Sequence, residues 1–238
     1  MQLFCPPQIL ERVRPWVGEL QAVGCVTRPQ NAEGYYLWWR DDRLVLYRGG
    51  DDHGVCIEPA ELQRRATLRG ELARACGVTA KRKPRILDAM AGLGVDGMTL
   101  AALGCQVVMI ERHTALWAML ESYVQVTARK DTSGPEVIHA DAWAWLQARS
   151  CDDDGFDVIY LDPMFPARRK GALPGKVLQF LAELAPVDGR DLRDWIELAV
   201  QHARSRVVLK RRLRDPAADV PDWQVKGRSV RYDVYRAG

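Results

Sequence analysis

Residues 85–97 read Arg-Ile-Leu-Asp-Ala-Met-Ala-Gly-Leu-Gly-Val-Asp-Gly. The apolar residues at the start of this stretch predict a buried strand, and the glycines predict a tight turn into a helix. Residues 92–97 also match the pattern G-x-G-x-x-G, which is typical of nucleotide-binding turns but is weak evidence alone. We expect Gly92 and Gly94 to let the backbone approach a bound ligand closely.

Strands and helices alternate after this turn. Further strands are predicted at residues 106–110, 137–139, 156–161, 206–210 and 229–235, with an amphipathic helix from Thr114 between the first two. This alternation predicts an α/β fold with a mostly parallel, doubly wound sheet of the Rossmann-like kind.

The region before the glycine turn differs in amino-acid composition from the region after it. Residues 1–55 are rich in proline, glycine and tryptophan, and residues 35–47 predict a β-hairpin around Asp41-Asp42. A basic helix is expected from near Pro59 to just before Gly77. We therefore predict a small N-terminal β-containing subdomain over residues 1–55 and a Rossmann-like domain with a basic lead helix over residues 56–238.

Composition restricts the class of protein. The 238 residues are 47% hydrophobic and 27% charged, which excludes global disorder, and the net charge of +3 permits a nucleic-acid partner without arguing for one. The sequence shows neither a secretory signal nor an apolar run long enough to span a bilayer, so we expect a cytoplasmic protein with no membrane partner. The six cysteines lack metal-site spacing, and His113 and His139 lack ligand-like partners, so no metal is expected.

Acidic residues lie at strand ends, where ligands of open α/β sheets bind. Asp88 precedes the glycine turn and suits the amino-acid part of S-adenosylmethionine, and Glu111 can accept hydrogen bonds from both ribose hydroxyls. Asp141 is placed to hold an adenine amino group. Asp96 opens the helix after the turn, where it would repel the pyrophosphate of NAD. The pattern favours S-adenosylmethionine over NAD.

A fourth strand end carries groups suited to methylation of an amine. Residues 158–166 read Val-Ile-Tyr-Leu-Asp-Pro-Met-Phe-Pro. The exocyclic nitrogen of guanine or adenine is a poor nucleophile because its lone pair is delocalised, so it must be oriented and its N–H bonds must be accepted. The Asp162 carboxylate and the Pro163 carbonyl are suitable acceptors, and Phe165 can stack on the base. We predict these three as catalytic residues that act by positioning and electrostatics.

Together these strings resemble the RsmJ family of bacterial 16S rRNA guanine-N2 methyltransferases. The resemblance rests on residues 87–96, 111–112, 139–141 and 160–166 and extends in the same order over roughly residues 60–238, although Met90 and Val95 stand where the family usually has Thr and Arg. It implies a class I S-adenosylmethionine-dependent methyltransferase fold, and ribosomal RNA or the small ribosomal subunit as partner. It also implies cofactor contacts at Val95, Asp96, Glu111, Arg112, Asp141, Ala142 and Asp162.

Basic residues cluster in three places, at residues 64–85, 168–170 and 210–212. The last two clusters follow strands at the edge where the site is predicted. We therefore predict phosphate contacts with RNA from five side chains: Arg168, Arg169, Lys170, Lys210 and Arg211. For residues 64–85, a solvated charged face is an equally good interpretation.

Three other functions stay open on the residues alone. An adenine-N6 methyltransferase acting on RNA or DNA would use the same Asp-Pro-x-aromatic turn, because that turn suits any exocyclic amine. An NAD-dependent oxidoreductase would use the glycine turn but would have no need for Asp162 and Pro163. A non-catalytic RNA-binding module would bind through its basic clusters and ignore S-adenosylmethionine.

Overall fold

The computed structural model describes residues 1–16, 20–127, 134–150, 155–163, 176–184 and 189–238. Within these ranges the chain forms a four-stranded sheet near its N-terminus and a seven-stranded sheet beyond it. Phe165, Arg168, Arg169 and Lys170, all predicted to act on the substrate, lie outside the described residues.

The N-terminal sheet has the order β2-β1-β3-β4. Its strands are β1 (Gln2–Cys5), β2 (Gln21–Gly24), β3 (Tyr35–Arg40) and β4 (Arg43–Arg48), and the short helix α1 (Leu10–Val13) connects the first two. The predicted hairpin is confirmed, since β3 and β4 pair antiparallel and Asp41 and Asp42 have φ angles of 51° and 56°. Positive φ at both central residues matches the twist of paired strands.

The large sheet has the order β10-β11-β9-β8-β5-β6-β7. The pairs joining β7, β6, β5, β8 and β9 are parallel, whereas β11 pairs antiparallel with both β9 and β10. The prediction of a mostly parallel, doubly wound sheet is confirmed. Its strands are β5 (Arg85–Asp88), β6 (Gln106–Glu111), β7 (Glu136–His139), β8 (Phe156–Leu161), β9 (Ala203–Arg212), β10 (Trp223–Lys226) and β11 (Val230–Arg236).

Helices follow the N-terminal sheet and alternate with the strands of the large sheet. They are α2 (Pro59–Arg65), α3 (Glu71–Ala75), α4 (Val95–Ala102), α5 (Thr114–Thr127), α6 (Ala142–Gln147), α7 (Lys176–Leu184) and α8 (Leu192–His202). The prediction of one lead helix up to Gly77 is wrong, because α2 ends at Arg65 and the next residue, Ala66, has a ψ angle of 76°. Thr67 and Gly70, both poor helix formers, lie in the turn that separates α2 from α3.

Helix α5 joins the two sheets through one continuous core. The face predicted from its 3.6-residue period is buried, and the same apolar cluster contains Leu46 of β4 and Met109 of β6. The boundary between residues 55 and 56 stays a prediction. Strand β5 lies between β6 and β8, which follow it on opposite sides, so the carboxyl ends of these three strands frame the crevice where such sheets bind ligands.

Candidate active site

The glycine turn after β5 combines open space with close packing. Gly92 and Gly94 have φ angles of +57° and +70°, a region that favours glycine because it has no Cβ atom. A Cβ atom on Gly92 would meet no atom within 4 Å, whereas one on Gly94 would lie 2.4 Å from Leu120 Cδ1. The turn therefore presses α4 against α5 and leaves room above Gly92.

Glu111, at the end of β6, is linked to this turn. Its Oε2 accepts the backbone N–H of Gly92 at 2.8 Å, and its Oε1 accepts the N–H of His113 at 2.6 Å. Burial raises the pKa of Glu111, and these backbone N–H groups oppose the rise. The backbone of Arg112 is a third donor to this carboxylate, which has about four acceptor sites, so one site remains for a ribose hydroxyl. The predicted neighbour Arg112 is exposed.

Asp141 caps helix α6 at the next strand end. Its Oδ1 accepts the N–H of Ala144 at 3.0 Å, and its Oδ2 lies 3.4 Å from the guanidinium of Arg190. That guanidinium also lies 5.3 Å from the centre of the Trp143 ring. Ala142 is buried as the first residue of α6. The first turn of α6 therefore presents a polar and an aromatic group together.

Asp88, the last residue of β5, is a buried carboxylate without a cation in direct contact in the described part of the chain. It is 2% exposed, and it accepts the N–H of Met90 at 3.4 Å. Burial, followed by the negative charges of Asp96 and Asp162, raises the pKa of Asp88 well above its usual value. A cationic ligand group at this place would relieve that cost.

Lys210 lies between two of the predicted carboxylates. Its Nζ is 2.6 Å from Asp162 Oδ2 and 2.7 Å from Asp96 Oδ2, and its side chain is 18% exposed. Burial by itself lowers the pKa of Lys210, but the two carboxylates outweigh burial and raise the pKa above its usual value. This ammonium group is therefore fixed inside the site.

Asp96, the second residue of α4, bonds to further protein donors. Oδ2 also accepts the hydroxyl of Tyr160 at 2.6 Å, and Oδ1 pairs with the guanidinium of Arg65 from α2. Burial by itself raises the pKa of Asp96, but the charges of Lys210 and Arg65 hold it below its usual range. Its contact with the cofactor stays a prediction, as does that of Val95, which is half-buried beside it.

Asp162 follows β8 directly and is partly exposed, together with Pro163. Burial and the charge of Asp96 raise the pKa of Asp162, while Lys210 opposes the rise. The contact that the structure describes for its carboxylate is at Oδ2, so Oδ1 is the oxygen available to a ligand. The catalytic roles predicted for Asp162 and Pro163 stay predictions.

The predicted contacts of Lys210 and Arg211 with RNA phosphates stay predictions, and both side chains bond within the protein. Lys210 points at Asp96 and Asp162, and Arg211 is 8% exposed with its guanidinium donating to the carbonyl of Pro216 at 2.9 Å. Side chains that alternate along a strand point to opposite faces, and both faces of β9 are covered here. Consecutive basic residues in the sequence therefore do not by themselves indicate an exposed basic surface.

Tyr160 and Arg65 belong to the site, although the sequence analysis did not include them among its site residues. Tyr160 of β8 stands two positions before Asp162, which directly follows the strand, so the two-residue period of extended chain is a signal that both point the same way. Arg65 carries no such signal, because its contact with Asp96 depends on how α2 packs against α4.

The arrangement fits S-adenosylmethionine. A Cβ atom on Gly92 would face open space, and the carboxylate of Glu111 retains an acceptor position for a ribose hydroxyl. Around them, three carboxylates, those of Asp88, Asp96 and Asp162, face the two cations of Arg65 and Lys210. The surplus of negative charge suits a ligand that carries an ammonium and a sulfonium group.

Comparison with known proteins agrees with this fit. A family model described as a putative SAM-dependent methyltransferase matches residues 23–237. The crystal structure of a SAM-dependent methyltransferase from Neisseria gonorrhoeae superposes with a TM-score of 0.70 at 25% identity, covering 99% of this chain and 96% of that one. Fold and site thus define an S-adenosylmethionine-dependent methyltransferase.

Curated relatives narrow the class further. Ribosomal RNA small subunit methyltransferase J of Alkalilimnicola ehrlichii is 44% identical over 188 residues, or 73% of this chain and 69% of that protein. The protein of the same name from Magnetococcus marinus is 41% identical over 72% of this chain and 69% of its own length. The chain belongs to the ribosomal RNA small subunit methyltransferase J family, as the resemblance implied.

Two further features of the described residues bear on partners. No helix among them combines the length and apolar character needed to cross a membrane. In the same residues, no group of three or more His, Cys, Asp and Glu side chains is arranged to hold a metal ion. His139 instead stacks on Trp117 with ring centres 4.8 Å apart.

Proposed function

We propose that this protein transfers a methyl group from S-adenosylmethionine to the exocyclic N2 of a guanine in 16S ribosomal RNA. The relatives that carry the name ribosomal RNA small subunit methyltransferase J support the substrate class. The observation that carries the chemistry is the position of Asp162. It follows β8 beside the glycine turn of β5, with one carboxylate oxygen bound to Lys210 and the other available.

S-adenosylmethionine supplies an activated methyl group on a sulfonium, and the chain's residues hold and orient it. Asp88 receives the ammonium of the amino-acid part, and Gly92 and Gly94 let the backbone approach it. Glu111 accepts a ribose hydroxyl, and the first turn of α6, with Asp141 and Ala142, takes the adenine. Val95, Arg112 and Asp162 are proposed as further contacts from the family resemblance.

The substrate amine is oriented by two oxygen acceptors. Asp162 Oδ1 and the carbonyl of Pro163 each accept one N–H, which aims the nitrogen lone pair away from the ring plane and toward the methyl group. Phe165 stacks on the base in this proposal. Asp162 has no need to remove a proton before attack, because accepting hydrogen bonds already stabilises the positive charge that develops on the nitrogen. The proton that the methylated nitrogen must then lose leaves along its hydrogen bond to Asp162.

An exposed basic surface on α2, α3 and the segment before β5 suits the RNA backbone. Exposed cations spaced along one stretch contact successive phosphates, and those exposed here are Arg64, Arg69, Arg74, Lys81, Arg82 and Lys83. Arg168, Arg169 and Lys170 follow the Asp-Pro turn in sequence and are proposed as contacts closer to the target base. A ribosomal RNA substrate also implies the cytoplasm as the compartment.

The decisive experiment is transfer of a labelled methyl group to unmodified small-subunit rRNA, both naked and in assembled subunits, followed by nucleoside analysis. We expect label in N2-methylguanosine, and natively modified rRNA serves as the matched control that accepts none. Label recovered in N6-methyladenosine would show that the enzyme methylates adenine and not guanine. Absence of label from every RNA, despite cofactor binding, would overturn the proposal.

A further inference from the structure

The position of Lys210 follows from the pairing of two neighbouring strands. Leu209 of β9 pairs with Leu161 of β8, so the next residue of each strand, Lys210 and Asp162, stand side by side at the carboxyl edge. The ammonium then lies 2.6 Å from Asp162 Oδ2. Charge-assisted hydrogen bonds at this distance are short and strong.

A second carboxylate fixes the lysine from the opposite side. Asp96 Oδ2 lies 2.7 Å from the same Nζ, and Asp96 is itself bound by Arg65 from α2 and by the Tyr160 hydroxyl from β8. Lys210 is thus attached to α4 as well as to its own sheet. Because both acceptors are held in place, the long and flexible side chain of Lys210 is restricted to one geometry.

We propose that Lys210 is a positioning residue for methyl transfer, which holds Asp162 by Oδ2 so that Oδ1 faces the substrate amine. The inference rests on the proposed function. A freely rotating carboxylate would present either oxygen at many angles, and acceptors misplaced by 1 Å slow catalysis greatly. Lys210 acts on the carboxylate and touches neither the base nor an RNA phosphate, because its side chain is 18% exposed and its ammonium faces inward.

The charges around Asp162 give this role a pH signature. The groups facing it from the packed elements are Lys210 of β9, Asp96 of α4, Arg65 of α2, Asp88 of β5, Tyr160 of β8 and Tyr232 of β11. Removing the lysine charge leaves Asp96 and Asp88 to repel Asp162, so its pKa rises. Because the N–H acceptor must be the carboxylate, the acid limb of kcat then moves to higher pH.

The experiment compares three variants with the wild type on the same RNA. Lys210→Met removes the charge, Lys210→Arg restores a cation, and Lys226→Met removes an exposed lysine at the end of β10 as the matched control. For each, kcat is measured from pH 5 to pH 9, and the Kd of S-adenosylhomocysteine and the thermal midpoint are determined alongside.

We expect Lys210→Met to lower kcat about 100-fold near neutral pH and to displace its acid limb upward, with a much smaller change in Kd. Lys210→Arg should recover part of the rate, and Lys226→Met should match the wild type. The inference would fail if kcat of Lys210→Met fell by the same factor by which the Kd of S-adenosylhomocysteine rose and the pH profile of kcat did not move. The lysine would then be merely structural.

Removing Lys210 alone leaves the buried carboxylate of Asp96 facing the partly exposed carboxylate of Asp162 without a cation between them, which destabilises the fold. The double variant Lys210→Met with Asp96→Asn removes that repulsion and still deprives Asp162 of its cation. It should fold and remain slow even at saturating cofactor, and the single variant Asp96→Asn is the reference for any change in Kd, whereas wild-type turnover of the double variant would overturn the inference. A wild-type enzyme that methylates no RNA would instead refute the proposed function, so the two failures are distinguishable.

Discussion

The backbone N–H of Gly92 donates a 2.8 Å hydrogen bond to Oε2 of Glu111, and this bond joins the turn after β5 to the end of β6. The other oxygen, Oε1, accepts the N–H of His113 at 2.6 Å. Both oxygens are oriented by backbone groups before a ligand arrives. A preoriented acceptor binds ribose hydroxyls with less loss of side-chain entropy.

Glu111→Gln should weaken the binding of S-adenosylhomocysteine by about tenfold or more, as measured by calorimetry. A carboxamide has one oxygen, so its NH2 group must face the N–H of either Gly92 or His113. Glu136→Gln, an exposed residue at the start of β7, is the matched control and should leave the Kd unchanged. Equal affinities for the two variants would remove Glu111 from the cofactor site.

The variants Gly94→Ala and Gly92→Ala should separate the effect of the glycine turn on the stability of the fold from its effect on cofactor binding. Both place a side chain at positive φ, which costs about 1–2 kcal/mol, but only the Gly94 Cβ would collide with Leu120, at 2.4 Å. Urea denaturation should show a loss of unfolding free energy for Gly94→Ala that exceeds the loss for Gly92→Ala.

Gly92→Ala should instead show its main effect in calorimetry, because its methyl group enters the open space assigned to the cofactor. A folded Gly92→Ala protein that binds S-adenosylhomocysteine like the wild type would contradict that assignment.

Local signals account for the parts of the fold that the sequence predicts well. Residues 85–97 contain their own strand, turn and helix start, and α5 shows its buried face through a 3.6-residue period. Strand β2 lacks such a signal, because its residues Gln21–Gly24 are largely exposed and show no alternation. Its pairing with β1 is parallel, and parallel pairing has no turn signature.

The residues of the candidate site also differ in whether a local sequence signal predicts them. The sequence predicts Asp88, Glu111 and Asp162 as site residues because each stands at the end of a predicted strand, where the fold directs ligands. The ion pairs of Lys210 are not predictable from the sequence, since its partners lie after β8 and on α4, and a basic run looks the same whether it is exposed or buried. Contacts between elements distant in sequence depend on register and packing, which no local pattern encodes.

Asp162→Ala should reduce kcat for methyl transfer at least 100-fold while the protein stays folded. Lys210 retains its partner Asp96 in this variant, so no charge is left buried alone. Single-turnover transfer of labelled methyl to the accepted RNA measures the rate, and Asp194→Asn, an exposed change on α8, is the control. Turnover near that of the wild type would show that Asp162 does not orient the amine.

Asp88→Asn should stabilise the protein and weaken cofactor binding at once. The wild-type carboxylate is 2% exposed, and burial, then the charges of Asp96 and Asp162, raise its pKa well above 3.8. The neutral amide avoids the cost of burying that charge, so the free energy of unfolding at pH 7 should increase by about 1–3 kcal/mol. Loss of the anion should also weaken S-adenosylmethionine binding about tenfold or more, because its ammonium group loses its counter-charge.

The pH dependence of this stabilisation follows from the direction of the Asp88 shift. A raised pKa in the folded state means that the folded protein binds more protons than the unfolded chain as pH rises from 3.8 toward the folded pKa. The contribution of Asp88 to the free energy of unfolding therefore decreases as pH rises from 3.8 to the folded-state pKa, and Asp88→Asn does not show this decrease. Urea denaturation should show the two proteins nearly equal near pH 4 and increasingly different at higher pH. A difference that stays constant with pH would mean that the amide stabilises by new hydrogen bonds, and that relief of a buried charge contributes nothing.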